Sequence, residues 1–95
     1  MYDYMALLRI AGSDAQLDAA RKMILEFKDK IPGVVYVTVG VNVLTGQEHN
    51  WGVYIRFKDV AAREAYRTDP YHQELGRRFG RLVEGQAHFV EFEVS

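Results

Sequence analysis
The run YIRFKDVAAREAYRTDPYHQEL, residues 54–75, holds the end of a strand, the start and stop of one helix and the start of another. Val53, Ile55 and Phe57 alternate with Tyr54 and Arg56, the period-2 pattern of a strand with two distinct faces. Lys58-Asp59 ends that strand. Asp59 suits a helix N-cap, because its carboxylate accepts from the free backbone N–H groups of the Val60-Ala61-Ala62 turn. The Ala-rich helix that follows runs to about Arg67. It stops there because Pro70 disfavours helical dihedrals at Asp69, while Pro70 itself suits the first position of a new helix capped by Asp69. Tyr66 then stands at the end of one helix and His72 in the first turn of the next, and a bend between them can turn both side chains toward one space.

Upstream, Tyr2 to Ile10 reads as a strand with Tyr4, Ala6, Leu8 and Ile10 on one face and Met5, Leu7 and Arg9 on the other. Ser13 and Gln16 form a capping box. Leu17, Ala20, Ile24, Phe27 and Ile31 then recur at helical spacing, and Ile31-Pro32-Gly33 closes that helix in a tight turn. Val34 to Val43 is the most strand-like run, with Val35, Val37, Val39, Val41 and Val43 on one face. A polar hairpin loop around Thr45-Gly46 leads to the strand Trp51 to Phe57. Downstream, the second short helix extends from Pro70 to about Val83, Gly85 ends it, and His88 to Val94 alternates as a last strand.

Strand, helix, two strands, a broken helix and a strand make the split βαβ arrangement: an α+β, ferredoxin-like βαββαβ fold with an antiparallel four-stranded sheet. Residues 1–95 form a single domain, and cysteine is absent, which excludes disulfides and a thiol nucleophile. A net charge of −1 gives no pull toward nucleic acid. The start, MYDYMALLRIAGSD, lacks the basic region and apolar core of a signal peptide, and no segment reaches the ~20 apolar residues of a membrane span, so a cytoplasmic location is expected. Helices cover one face of such a sheet. The other face, including Val residues of the second strand, is expected to pack against a second copy in a dimeric α+β barrel.

His72 lies at a helix N-terminus, where partial positive charge favours the neutral imidazole a general base needs; alternatively it ties two helices together through Tyr66. Gly76 and Gly80 continue the His72 column at i+4 and i+8, and each mid-helix Gly costs ~1 kcal/mol relative to Ala. Either the helix presses closely on the sheet there, or the missing side chains leave a cavity beside His72. Tyr4, Trp51 and Tyr36, with Phe79 nearby, either line such a pocket with an aromatic wall or belong to the core. Arg63, Arg67, Arg77, Arg78 and Arg81 read as solvated helix faces with Glu64 and Glu74 as partners. His49, His72 and His88 show no metal-ligand spacing, and His88 and Glu91 fall on opposite strand faces, so no metal site is expected.

Laid out this way, IPGVVYVTVGVNV at Ile31 to Val43, YIRFKDVAAREAY at Tyr54 to Tyr66 and DPYH at Asp69 to His72 resemble the stress-responsive A/B barrel family of dimeric α+β barrels over nearly the whole length. That family mixes stress-associated proteins with polyketide cyclases similar to olivetolic acid cyclase. The resemblance implies a homodimer and a cofactor-free cyclase or lyase acting on a small, aromatic or polyketide-like compound. It implies His72 as general base and Tyr66 as its holder, with Tyr4, Trp51, Tyr36, Gly76 and Phe79 around the substrate. A non-catalytic, stress-associated binding or protective protein is the other reading the family offers. Two histidines of the cyclase pocket are replaced here by Tyr4 and Trp51, and a third, before the proline, by Asp69.

Overall fold
The computed structural model describes residues 1–94. Its elements are β1 (Tyr2–Ile10), α1 (Asp14–Leu25), the single turn α2 (Phe27–Lys30), β2 (Val34–Val41), β3 (Trp51–Phe57), α3 (Val60–Thr68), α4 (Pro70–Phe79), a 3-10 turn at Gly80–Leu82, and β4 (Val83–Glu93). All strand pairs are antiparallel, in the order β2-β3-β1-β4. This is the expected ferredoxin-like sheet. The caps form as their chemistry dictates. Ser13 and Gln16 complete a capping box, the Asp59 carboxylate accepts from the Ala62 N–H at 2.8 Å, and Asp69, extended at φ −61° and ψ 131°, accepts from the Tyr71 N–H at 2.8 Å. No helix among the described residues is long and apolar enough to cross a membrane.

Three boundaries differ from the reading of the sequence. The first helix breaks at Glu26, whose N–H is shared between the Lys22 and Met23 carbonyls at 3.2 Å each, and a separate turn carries Phe27 into the core. The helix α4 ends at Phe79, and the last strand begins at Val83 instead of His88. Gly85 terminates no helix. At φ 64° it sits within β4 where the register slips, Leu7 facing His88 but Arg9 facing Glu84, and its lack of a side chain permits that bulge.

The helix-covered face carries the core: Tyr4 and Ala6 of β1, Val37 and Val39 of β2, and all four inward residues of β3, of which Ile55 and Phe57 are fully buried. Val34, Val37 and Val39 therefore face the helices, a correction to their placement on the uncovered side, whereas Val35 and Val41 are exposed. A register shift between Val34 and Tyr36 explains the pattern, since it puts Val34, Val37 and Val39 inward and leaves Val35 partly exposed. On the helix-free face Met5, Leu7, Tyr36, Val90 and Phe92 are 39–54% exposed. Among them Asp3 is buried, gripped by Arg56 at 2.7 and 2.9 Å and by the Tyr54 hydroxyl at 2.8 Å. The Arg56 guanidinium holds the Asp3 carboxyl below its usual range.

Candidate active site
The bend at Asp69 brings Tyr66 and His72 together, but as a stack. Their ring centroids are 3.9 Å apart with planes inclined by 25°, and no hydrogen bond joins the side chains. The residue type at 66 matters here as a flat surface. Tyr66 is itself wedged among Tyr4, Phe27 and Phe57 at centroid distances of 5.8, 5.7 and 5.2 Å, and Phe27 also meets the His72 ring edge-on at 6.2 Å. Two aromatic neighbours thus fix the imidazole plane. Its Nδ1 is enclosed and has no hydrogen-bond partner.

Burial lowers the His72 pKa, against the opposing pull of the nearby Arg67 and Tyr66 carbonyls, neither of which bonds Nδ1; Arg63 adds to the lowering and Asp69 opposes it. The ring is consequently neutral at pH 7. Burial, reinforced by the neighbouring Tyr4, raises the Tyr66 pKa well above the ordinary phenol value, so its hydroxyl stays protonated.

Between helices and sheet lie two apolar cavities of about 160 Å³ each, sharing Leu8, Ile24, His72 and Leu75 as walls. One extends to Tyr4, Tyr66 and Phe89, the other to Trp51, Gly76, Phe79 and Gly80. Tyr4, Trp51, Phe79 and Gly76 thus form the walls, and His72 stands at the junction. A Cβ built at Gly76 or Gly80 would meet nothing within 4 Å. The glycine column therefore leaves open space; it does not bring the helix down onto the sheet. Tyr36 does not join the site. It lies on the opposite face, 51% exposed, beside Tyr54 at 5.9 Å, because the alternation of β2 turns it away from the helices.

The expectation of Arg63 as a solvated partner of Glu64 is also corrected. Its guanidinium grips Glu91 of β4 at 2.6 and 3.1 Å and lies over the rings of Tyr4 and Tyr66, 5.0 and 5.6 Å from their centroids, while Tyr2 donates to Glu91 at 3.2 Å. Glu64 faces Arg67 instead, at 4.0 Å. The one signal in the sequence was that Phe89 and Glu91 share a strand face. On the helix-free face a cleft of about 420 Å³ is lined by Leu7, Gly40, Gly52, His49 and neighbours. Beside it Glu48, His49 and His88 converge, a cluster that residue spacing missed because its members lie on the β2–β3 loop and on β4.

Residues 5–94 match the family described as Stress responsive A/B Barrel Domain. No curated protein matches the chain at the sequence level. Among solved structures, a dimeric protein of unknown function and ferredoxin-like fold from Bacteroides fragilis superposes with a TM-score of 0.83 at 20% identity, covering 98% of this chain and 95% of its own. A hydroxynitrile lyase from Passiflora edulis gives 0.85 at 13% identity, covering 99% and 93%. A cofactor-independent oxygenase from Streptomyces nogalater gives 0.76 at 13% identity, covering 98% and 91%. At these identities the likeness is one of fold.

Proposed function
The chain belongs to the stress responsive A/B barrel domain family, and from that premise we propose that it is a homodimeric, cofactor-free enzyme of the cyclase or lyase type with His72 as its general base. The observation that carries the reading is a neutral imidazole, held by stacking, at the junction of two apolar cavities. Its Nδ1 is enclosed, so a ligand meets Nε2. Base chemistry at Nε2 requires the tautomer with its proton on the enclosed Nδ1, which leaves the Nε2 lone pair free. The activities named for two structural neighbours, a hydroxynitrile lyase and a cofactor-independent oxygenase, are consistent with chemistry of this kind on the fold.

Each cavity is close to the ~150 Å³ that accommodates a benzene ring, so the favoured ligand is a small oxygenated aromatic or polyketide-like compound with one ring or short arm in each lobe. Nε2 takes a proton from the carbon next to a carbonyl, and the electron pair moves onto the carbonyl oxygen as an enolate. In a cyclase the enolate carbon then bonds to a second carbonyl of the same molecule, and His72 returns its proton to the new alkoxide. Tyr66 acts through His72, keeping the ring plane fixed.

Proton exchange tests the base without knowledge of the substrate. Acetophenone in D2O should exchange its methyl protons faster with the wild type than in buffer, and His72→Ala should remove the acceleration while circular dichroism stays native. Exchange at the buffer rate, with His72→Ala only lowering Tm, would establish the non-catalytic binding protein instead. For the dimer, the exposed Met5, Leu7, Val90 and Phe92 make the contact surface, and the Bacteroides fragilis neighbour is described as dimeric. Val90→Glu should shift the mass by light scattering from two chains to one, and an unchanged mass rejects sheet-to-sheet pairing.

A further inference from the structure
We propose that Glu48, His49 and His88 form a binding site for a divalent first-row transition ion, best matched by Zn2+, at the edge of the cleft on the helix-free face. One ligand atom from each residue lies within 4.8 Å of the others, and the two imidazole centroids are 4.6 Å apart. Ligands sharing a tetrahedral Zn2+ at the usual bond lengths sit about 3.4 Å apart. Closure therefore needs roughly 1 Å of side-chain movement, which the exposed Glu48 and His88 are free to make.

The backbone that presents these groups is pinned. The His49 carbonyl accepts from the Asn42 amide at 2.9 Å, and the next residue, Asn50, bonds both backbone groups of Ile10 through its side chain at 2.8 Å each. His49 Nε2 lies 3.4 Å from the Gln86 carbonyl, which ties the ring to the β4 bulge that sets His88 opposite Leu7. All three ligands come from one chain, so the site does not need a second copy.

Two imidazoles and a carboxylate suit Zn2+ and its transition-metal neighbours and disfavour Mg2+ and Ca2+, which take oxygen ligands. Three protein ligands leave a tetrahedral ion one open position for water or an anionic ligand. His49 also lines the 420 Å³ cleft on the sheet face away from His72, and because Leu7 belongs both to that cleft and to the proposed dimer contact, the ion would stand at the rim of the subunit interface.

Titration of the tag-free, full-length chain with Co2+ tests the site. The expected result is one ion per chain with the visible absorption of four- or five-coordinate Co2+, displaced by equimolar Zn2+ and not by Mg2+. His49→Ala and His88→Ala should each weaken binding at least tenfold, and His72→Ala should leave it unchanged. Should His88→Ala fold poorly, His88→Gln keeps size and polarity at that position and should show the same loss. A featureless octahedral spectrum, or binding that survives both His49→Ala and His88→Ala, overturns the proposal.

Discussion
Gly76 opens the last turn of α4, where it lowers helix stability by up to ~0.8–1.0 kcal/mol relative to Ala. Its backbone is in the ordinary helical region, and a Cβ there meets nothing within 4 Å, so Gly76→Ala recovers the propensity without a steric cost. The added methyl faces a cavity that is open to solvent on this side, and little further burial energy is counted for it. At ~4–8 °C per kcal/mol for a domain of this size, Tm should rise by about 3–8 °C. Thermal unfolding followed by circular dichroism, with both proteins at equal concentration because dimers melt later when concentrated, measures this. Gly76→Leu separates stability from function. Leu is nearly as good a helix former as Ala, so this variant should melt no lower than the wild type, while its branched side chain enters the cavity beside His72 and suppresses acetophenone exchange. A fall in Tm for Gly76→Ala would mean that the helix sits against the sheet after all. Undiminished exchange in Gly76→Leu would move the chemistry away from this cavity.

Gly33 has φ 86°, and a Cβ there would collide with the Cβ of Ala62, so Gly33→Ala should lose at least the roughly 1–3 kcal/mol of a side chain forced into that region. A chemical denaturation curve within 0.5 kcal/mol of wild type would refute this. The folded-state pKa of His72 is depressed below its unfolded value of about 6.5. As pH falls from neutrality through that window the unfolded chain takes up a proton that the folded chain refuses, and stability drops until pH passes the folded pKa. Tm measured from pH 7.5 to 5 should therefore fall less steeply in His72→Gln, and parallel curves would deny the shift. Asp3 titrates in the same sense at lower pH, because the Arg56 guanidinium depresses its folded-state carboxyl pKa below the unfolded value. Its contribution is complete above about pH 4 and is lost as pH falls through the folded pKa, so wild type should out-melt Asp3→Asn at pH 7 by a margin that shrinks as the pH is lowered below about 4.

The fold was legible because its signals are local. Asp59, Asp69-Pro70 and Ser13 with Gln16 each announce a helix start through atoms within three residues, and the alternation of β1 and β3 needs no knowledge of any partner strand. What escaped depends on register. One irregularity at Val34/Tyr36 decides which side of the sheet Tyr36 occupies, and nothing in a run of valines marks it. Gly85 shows the same limit from the other direction. A glycine at positive φ just after a helical pattern is the usual sign of a helix end, yet here the same backbone freedom serves a bulge that positions His88.

The relation of Tyr66 to His72 illustrates why site residues were easier to name than to assign roles. Their separation by one proline-capped bend brings the side chains close, and either a hydrogen bond or a stack is compatible with that spacing. Phe27 and Tyr4 decide between them. Both meet the Tyr66 ring at steep angles, 5.7 and 5.8 Å between centroids, while that ring stacks on the imidazole at 25°. That arrangement leaves the orientation of the base to hydrophobic packing, with no polar partner to share its proton. The two roles of Tyr66 then separate cleanly: Tyr66→Phe keeps the flat surface and should keep the exchange rate within a few-fold, whereas Tyr66→Ala removes it and should lose most of the acceleration. Equal losses in the two variants would return the hydroxyl to the centre of the chemistry.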